Sequence, residues 1–261
     1  MPQGGTVQSG TSEQLPAPPD DLLSGASLFL DFDGTLVEIA DRPDAVRVDA
    51  RLHELIATLV SVLDGRVALI SGRPASEVRG FLGGGAMPGF AIAGSHGMEF
   101  LWADGRRTAA ERPASLAEVH AEMTALAAEN PGVMVEDKPL GAALHFRQAP
   151  EAESACRALA TKLAEVHGLK LQPGKMLFEV RTSGGDKGRA IATFMEQAKF
   201  AGTRPVFLGD DTTDEPGFEA AETLGGAGVL VGPPRDTSAS YRLGGVSATL
   251  DWLAAATEAL A

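Results

Sequence analysis

The chain has 261 residues, which is enough for one large α/β domain or for a core with a smaller inserted domain. Apolar residues make up 44% of the chain and charged residues 22%, as in ordinary globular proteins, and the single cysteine excludes an intrachain disulfide. The formal net charge of −13 argues against nucleic acid and anionic membranes as partners, so an anionic substrate would need a bound metal or suitably placed Lys and Arg side chains.

The first 21 residues are rich in Gly, Ser, Gln and Pro and show no hydrophobic periodicity. This composition predicts a disordered tail at residues 1–21. The N-terminus lacks the basic and apolar segments of a signal peptide, and no apolar run is long enough to span a bilayer. We expect a cytoplasmic protein, and a monomer, whose partner is a small molecule.

The first predicted strand ends in two carboxylates. Residues 28–30 form a short apolar run, Asp31 and Asp33 follow it, and Gly34 allows a sharp turn. Buried carboxylates need a counter-charge, and a hard cation held by oxygen ligands, most simply Mg²⁺, supplies one. Period-2 alternation places both carboxylates on one side, so Asp31 could attack a phosphoryl group while Asp33 transfers a proton. The alternative is a solvated turn at the strand end.

The second predicted strand, residues 66–70, ends in a serine, a glycine and an arginine. The hydroxyl group of Ser71 and the backbone N–H groups that begin at Gly72 suit an oxyanion, and Arg73 can make a forked contact with phosphate or sugar. A capped helix with Ser71 as a turn residue explains the same pattern. A third strand at residues 90–93 leads to His96, which we interpret as a loop histidine held by backbone contacts.

The pattern changes after residue 108. A helix, two strands, a helix and a further strand follow one another over residues 109–176, which predicts a small α+β domain inserted into the α/β core. Alternation places Glu136 and Lys138 on one face of a strand, where composition favours an exposed charge pair that contributes little to stability. The predicted core then comprises residues 22–108 and 177–261.

Two later segments also carry charge at the ends of predicted elements. Lys187 opens a helix, where the positive end of the helix dipole disfavours a cation unless an anion faces it. An apolar strand at residues 205–208 is followed by acidic residues, and their position directly after a buried strand favours metal binding over a solvated turn. The candidate residues there are Asp210, Asp211 and Asp214.

Together these elements predict an α/β fold with a Rossmann-like, doubly wound parallel sheet and an inserted α+β domain. In open parallel sheets, ligands bind beyond the carboxyl ends of the strands, and right-handed crossovers bring those ends to one edge. The acidic, hydroxyl and lysine side chains found there complement a phosphorylated substrate with Mg²⁺. The chain has no glycine-rich nucleotide loop, which favours transfer of the phosphoryl group to water over transfer from ATP.

Four motifs resemble those of the haloacid dehalogenase-like phosphatases: Asp-Phe-Asp-Gly-Thr-Leu at residues 31–36, Ser-Gly-Arg at 71–73, Lys-Gly at 187–188 and Gly-Asp-Asp-Thr-Thr-Asp-Glu at 209–215. Within that superfamily the chain is similar to the trehalose-6-phosphate phosphatases, through Gly-Ser-His-Gly at 94–97, Pro-Gly-Lys-Met at 173–176 with Glu179, and the segment at 209–215. The resemblance covers residues 28–253. One departure is Thr182, where we expect proline.

The resemblance implies hydrolysis of trehalose 6-phosphate to trehalose and inorganic phosphate through an aspartyl-phosphate. Asp31 would be the nucleophile and a ligand of Mg²⁺. Asp33 would be the acid and base, with its carbonyl oxygen as a further metal ligand. The other implied roles are phosphate binding by Ser71, Gly72 and Lys187, metal binding by Asp210, orientation of ligands or water by Asp211 and Asp214, and substrate recognition by Arg73, Glu136, Lys138 and Glu179. The inserted α+β domain at residues 109–176 would be a cap domain over the site.

The sequence leaves three alternatives open. The first is the same chemistry on another sugar phosphate, such as sucrose phosphate or mannosyl-glycerate phosphate. The second is a non-catalytic phosphosugar-binding domain, which is weakened because all of the implied reacting residues are present. The third is a metal-dependent phosphotransferase that passes the phosphoryl group to an acceptor alcohol.

Overall fold

The structure is a computed structural model and describes residues 15–40, 45–83 and 90–260. The strands in these ranges are β1 (Ala26–Leu30), β2 (Val67–Ile70), β3 (Ala91–Gly94), β4 (Glu99–Leu101), β5 (Arg107–Ala109), β6 (Met134–Lys138), β7 (Gly141–His145), β8 (Lys170–Gly174), β9 (Leu177–Arg181), β10 (Arg204–Gly209), β11 (Ala227–Val231) and β12 (Tyr241–Leu243). The helices are α1 (Ala50–Val62), α2 (Ala75–Phe81), α3 (Leu116–Glu129), α4 (Glu153–His167), α5 (Lys187–Met195), α6 (Glu215–Thr223) and α7 (Val246–Leu260). Among these described helices, none combines the length and the apolar character that a membrane crossing requires.

Eight strands form the first sheet, in the order β12-β11-β10-β1-β2-β3-β4-β5. The strands from β12 to β3 are parallel, and β4 and β5 add an antiparallel hairpin at one edge. The predicted α/β fold with a mainly parallel sheet is therefore confirmed. The chain winds outward from β1 through β2 and β3 and later returns to β10 on the other side of β1. This reversal leaves a crevice beyond the carboxyl ends of β1 and β10.

Alternate side chains of the parallel strands supply two separate hydrophobic cores. Leu28 and Leu30 of β1 pack on the face that α1 and α7 cover, while Phe29 packs on the face that α5 and α6 cover. Phe29 stacks there against Phe194 and Phe200, with ring centroids 5.7 and 5.6 Å away. Because helices cover both faces, β1 is a continuous apolar run rather than an alternating one.

Four strands form a second, antiparallel sheet in the order β6-β7-β9-β8. The helices α3 and α4 cover one face, where Cys156 is buried among apolar side chains. The opposite face carries Glu136, Lys138 and Glu179, which line a cavity together with residues of the first sheet. The second sheet therefore presents a polar surface to the carboxyl edge of the first.

The structure corrects the predicted domain boundary at residue 177. The sequence assigned the strand at residues 177–181 to the core, but β9 pairs with β7 and β8 in the second sheet. A short apolar run fits either sheet, so periodicity could not decide between them. Thr182 extends this pairing, because its backbone N–H donates a 2.9 Å hydrogen bond to the carbonyl oxygen of Leu140. The proline that we expected at this position could not donate that bond.

Part of the predicted tail makes defined contacts. The carbonyl oxygen of Pro16 accepts a 3.0 Å hydrogen bond from the backbone N–H of Arg242 in the edge strand β12, and a 3₁₀ turn at Asp20–Leu23 buries Leu22 and Leu23. Composition missed this anchor because a single edge contact leaves no periodic pattern. The prediction of disorder is therefore wrong for residues 15–21, and its remainder, residues 1–14, lies outside the described residues.

Gly226, in the turn between α6 and β11, has no room for a side chain. A Cβ atom there would lie 1.7 Å from the carbonyl oxygen of Pro205, a backbone atom that cannot rotate away. We expect Gly226→Ala to lower the free energy of unfolding by about 2 kcal/mol or more, as overpacking does. Urea unfolding followed by circular dichroism measures this change.

Gly80→Ala is the matched control for this prediction. A Cβ atom at Gly80, on the exposed side of α2, meets no atom within 4 Å. Alanine is also the better helix former, so this variant should gain about 0.5–1 kcal/mol of stability. Similar losses in both variants would contradict the steric explanation.

Candidate active site

The carboxyl edge of the first sheet gathers the predicted reacting residues. Asp31 directly follows β1, Ser71 follows β2 and Asp210 follows β10, while Lys187 is the first residue of α5. Because β1 lies between β2 and β10, the three strand ends adjoin one another. The backbone N–H of Asp31 still pairs with the carbonyl oxygen of Leu208 at 2.9 Å, so the position of Asp31 is fixed by the sheet itself.

Lys187 lies at the centre of a buried cluster of charges. Its Nζ contacts Oδ1 of Asp31 at 2.5 Å and also contacts Oδ1 of Asp214. Burial opposes the ammonium charge, but the two carboxylates outweigh it and raise the pKa of Lys187. Burial raises the pKa of Asp31 well above its usual value. Lys187 opposes this rise, and the nearby carboxylates of Asp214 and Asp210 add to it. The lysine at the helix start therefore faces negative charge, as its position predicted.

Three carboxylates of this cluster fit a metal ion. Oxygen atoms of Asp31, Asp210 and Asp214 lie within 4.8 Å of one another. A set of carboxylate oxygens at this spacing suits a hard divalent cation such as Mg²⁺, which would also offset negative charge that Lys187 alone cannot balance. Asp214 was expected to orient ligands rather than bind the ion. The side chain of Asp33 lies outside this group of three; the metal contact predicted for Asp33 was through its backbone carbonyl oxygen.

Gly34 closes one side of the same cluster. Its φ of +84° lies in the left-handed region, and a Cβ atom on it would lie 2.2 Å from Oδ2 of Asp210. The turn after Asp33 can therefore run against the Asp210 carboxylate only because residue 34 has no side chain. Asp211 lies beside the cluster, where its Oδ1 accepts a 2.6 Å hydrogen bond from the Thr212 N–H and caps the turn that carries Asp214.

Arg73 holds the carboxylate of Asp33. Its Nε and Nη2 donate to Oδ2 and Oδ1 of Asp33 at 2.6 and 2.9 Å, which is the forked geometry that we predicted toward phosphate or sugar. The guanidinium also contacts Glu77 in the first turn of α2 and lies 5.1 Å from the ring centroid of Phe81. Burial opposes the charge on Arg73, yet the two carboxylates raise its pKa. The fork fixes the orientation of the predicted acid and base.

Ser71 is placed both as a turn residue and as a hydroxyl group that could bind an oxyanion, the two interpretations of its motif. Its Oγ accepts a 3.1 Å hydrogen bond from the backbone N–H of Arg73, as a turn serine does. The hydroxyl group can still donate its own hydrogen, and Ser71 and Gly72 line the same cavity as Asp31 and Lys187. The side chain is therefore available to an oxyanion without losing its structural bond.

His96 also lines the cavity, in addition to the backbone contact that the sequence predicted. The expected backbone contact is present, since its N–H donates a 2.9 Å bond to the carbonyl oxygen of Ser71. Its φ of +57° follows a φ of +49° at Ser95, an uncommon pair of left-handed residues. The ring lies against Gly72 in the cavity, with Nε2 at 3.9 Å from Oε2 of Glu179. Burial lowers the pKa of His96, so the ring is neutral near pH 7.

The polar face of the second sheet is a buried network, which corrects the exposed charge pair that composition favoured. Nζ of Lys138 lies 2.8 Å from Oε2 of Glu179 and 3.8 Å from Oε2 of Glu136, and His145 contacts Glu136 at 2.8 Å. The side chains of Lys138 and Glu179 are only 10% and 6% exposed. Burial disfavours both charges, but each partner counteracts it, so the pKa of Glu179 lies below its usual range and that of Lys138 above.

One cavity of about 200 Å³ joins the two sets of residues. Asp31, Ser71 and Lys187 line it from the first sheet, and Glu136 and Glu179 line it from the second. Lys175, which the sequence analysis named only within the Pro-Gly-Lys-Met motif and without a role, connects the two sheets: its Nζ lies 2.5 Å from Oδ2 of Asp210. The predicted phosphate, metal and sugar residues therefore meet in a single space.

Sequence comparison finds related proteins over most of the chain. A family model described as Trehalose-phosphatase matches residues 29–247. The trehalose-6-phosphate phosphatase of Escherichia coli (strain K12) is 40% identical over 235 residues, which cover 89% of this chain and 86% of that protein. The probable trehalose-phosphate phosphatase of Sinorhizobium fredii (strain NBRC 101917 / NGR234) is 37% identical over 226 residues, or 86% of this chain and 83% of that protein.

Solved structures share the fold. The C-terminal domain of a C. albicans trehalose-6-phosphate phosphatase gives a TM-score of 0.80 at 22% identity, over 94% of this chain and 98% of its own. A haloacid dehalogenase-like hydrolase from Bacteroides thetaiotaomicron gives 0.62 at 15% identity, over 87% of this chain and 97% of its own. From the family match and the sequence identity, this chain belongs to the trehalose-phosphatase family, and its fold is that of the haloacid dehalogenase-like hydrolases.

Proposed function

We propose that this protein is a Mg²⁺-dependent phosphatase that hydrolyses trehalose 6-phosphate to trehalose and inorganic phosphate. The observation that carries the proposal is the meeting of two sets of side chains in one cavity. Asp31, Lys187 and Asp210 suit a phosphoryl group beside a divalent cation, while Lys138 and Glu179 suit sugar hydroxyl groups. Membership of the family supports this choice of substrate.

Asp31 is the proposed nucleophile. One of its carboxylate oxygens forms a bond to phosphorus while the bond from phosphorus to the sugar oxygen breaks, which leaves an aspartyl-phosphate. Asp33, protonated and released from the Arg73 fork, gives its proton to the leaving sugar oxygen. In the second step Asp33 takes a proton from water, and the water oxygen attacks phosphorus to release inorganic phosphate and restore Asp31.

Lys187, Ser71 and the backbone N–H groups near Gly72 hold the phosphoryl oxygens in this proposal. They donate hydrogen bonds to oxygens whose charge must be stabilised in the transition state. The proposed metal ligands are Asp31, Asp210 and Asp214 with the carbonyl oxygen of Asp33, supported by Asp211. Mg²⁺ bound there supplies Lewis-acid stabilisation of the same charge.

Substrate recognition is assigned to the polar face of the second sheet. Carboxylates and an ammonium group offer both acceptors and donors to hydroxyl groups, and the proposed contacts come from Glu136, Lys138 and Glu179. A direct contact of Arg73 with substrate stays a prediction, as do a monomeric state and a cytoplasmic location. The second sheet over the site would also keep bulk water from the first step.

A substrate panel tests the proposal against its alternatives. Phosphate release would be measured with trehalose 6-phosphate, sucrose phosphate, mannosyl-glycerate phosphate and 4-nitrophenyl phosphate, with and without a chelator. We expect the highest kcat/KM with trehalose 6-phosphate and no turnover with the chelator. Preference for another sugar phosphate, binding without release, or transfer of phosphate to an added alcohol would each favour the corresponding alternative.

Asp31→Asn should abolish turnover of trehalose 6-phosphate. An amide nitrogen and oxygen cannot replace the attacking carboxylate, so we expect kcat to fall by about four orders of magnitude or more. Phosphate release measures this, and circular dichroism checks the fold. Asp251→Asn, which alters an exposed ion pair with Arg51, is the control and should keep wild-type activity. Retention of a tenth of the activity by Asp31→Asn would exclude it as the nucleophile.

Asp33→Asn should separate the two chemical steps. The leaving group of 4-nitrophenyl phosphate needs no proton, whereas a sugar oxygen does, so the first step should slow by about 10²–10⁴-fold only with the sugar phosphate. The second step loses its base with either substrate. Rapid mixing should therefore show a burst of 4-nitrophenolate equal to the enzyme concentration, followed by slow turnover. Equal slowing of the first step with both substrates would contradict the acid role.

Glu136→Gln should impair sugar recognition while the Lys138–Glu179 pair stays intact. Loss of the charged acceptor should lower kcat/KM for trehalose 6-phosphate by at least about tenfold, equivalent to a hydrogen bond to a charged group, with less than a twofold change for 4-nitrophenyl phosphate. Glu122→Gln, on the outer helix α3 where Glu122 pairs with Lys162, is the matched control. Equal losses on both substrates would remove the recognition role.

A further inference from the structure

Lys175 lines the cavity but has no part in the reaction as proposed. It lies in the turn between β8 and β9 of the second sheet, and its Nζ reaches Oδ2 of Asp210 at 2.5 Å. Its side chain is 50% exposed, whereas that of Asp210 is 9% exposed. Partial burial opposes the charge on Lys175, but Asp210 outweighs it and raises the pKa of the lysine. The second sheet thus places a cation directly on a proposed metal ligand.

Asp210 cannot readily bind Lys175 and a metal ion at the same time. Its carboxylate lies against the backbone of Gly34, because a Cβ atom added to Gly34 would lie only 2.2 Å from Oδ2 of Asp210. That contact leaves the carboxylate little freedom to turn. A divalent cation among three carboxylates has more favourable interactions than an ammonium group on one of them. Occupation of the metal site should therefore release Lys175 from Asp210.

The released ammonium group remains beside the phosphoryl site, because Lys175, Asp31 and Lys187 line the same cavity. Asp31, Asp210 and Asp214 with Lys187 carry a formal charge of −2, which a divalent cation cancels. A phosphate monoester then brings up to two further negative charges. Lys175, no longer held by Asp210, is a cation suited to meet them.

We propose that Lys175 is a positioning residue that exchanges partners, binding Asp210 before the metal ion is bound and the phosphoryl group of the substrate afterwards. The inference rests on the proposed function and extends it, because the exchange brings a residue of the second sheet into contact with the substrate once the metal ion is bound. Lys175 competes with the divalent cation for Asp210, so it weakens the binding of that cation. It contacts the phosphoryl group after the exchange, so it strengthens the binding of phosphate.

Isothermal titration calorimetry on Lys175→Met tests this exchange, since methionine keeps an unbranched apolar chain and removes the charge. Mg²⁺ alone is titrated first, and inorganic phosphate is then titrated at saturating Mg²⁺. We expect Mg²⁺ to bind about three- to fivefold more tightly than to the wild type and phosphate about three- to fivefold more weakly, in the range of a partly exposed ion pair. Lys175→Arg should restore phosphate binding.

Lys162→Met is the matched control, because Lys162 pairs with Glu122 on the helical side of the second sheet, away from the cavity. Both affinities should match the wild type in this variant. Weaker binding of both ligands by Lys175→Met would indicate a structural effect, and unchanged binding of both would indicate a bystander; either result overturns the exchange. If the wild type binds Mg²⁺ and phosphate, either of these results contradicts the inference but leaves the proposed function standing. If the wild type binds neither, the proposed function fails together with it.

Discussion

The burial of Lys187 between Asp31 and Asp214 is the interaction on which the rest of the structure depends. None of these charges could be buried alone without a cost of several kcal/mol, and removing one partner would leave the others uncompensated. The end of β1, the turn before α6 and the start of α5 must therefore meet at one point. The sheet order allows this, because β10 lies directly beside β1.

The second sheet also buries paired charges on its inner face. Lys138 and Glu179 are buried as a pair, with Glu136 and His145 beside them, whereas the outer face is apolar and covered by helices. Buried ion pairs add little stability compared with apolar residues of the same volume. Under the proposed function, they serve as fixed donors and acceptors around a hydroxyl-rich ligand opposite the charged edge of the first sheet.

The sequence predicted the first sheet and its edge well because strand ends carry a local signal: an apolar run followed by charged or hydroxyl groups with a glycine nearby. Asp31, Ser71 and Asp210 were found this way, whereas Lys187 was found from its unfavourable position at a helix start. Contacts between distant segments left no such signal. The assignment of β9 to the wrong sheet, the anchoring of Pro16, and the positions of His96 and Lys175 depend on pairing partners far away in the chain.

The short link between β9 and α5 has a mechanical consequence. Residues 182–186 alone separate the second sheet from Lys187, so any pivoting of that sheet as a lid acts on the start of the helix. Gly184, with a φ of +104°, can absorb torsion that other residues resist. The guanidinium of Arg181, at the end of β9, donates a 3.1 Å hydrogen bond to the carbonyl oxygen of Gly185 and so bridges Gly184 from the second sheet to the side of the helix. Rotation at Gly184 would therefore have to break this bond before the second sheet could move relative to Lys187.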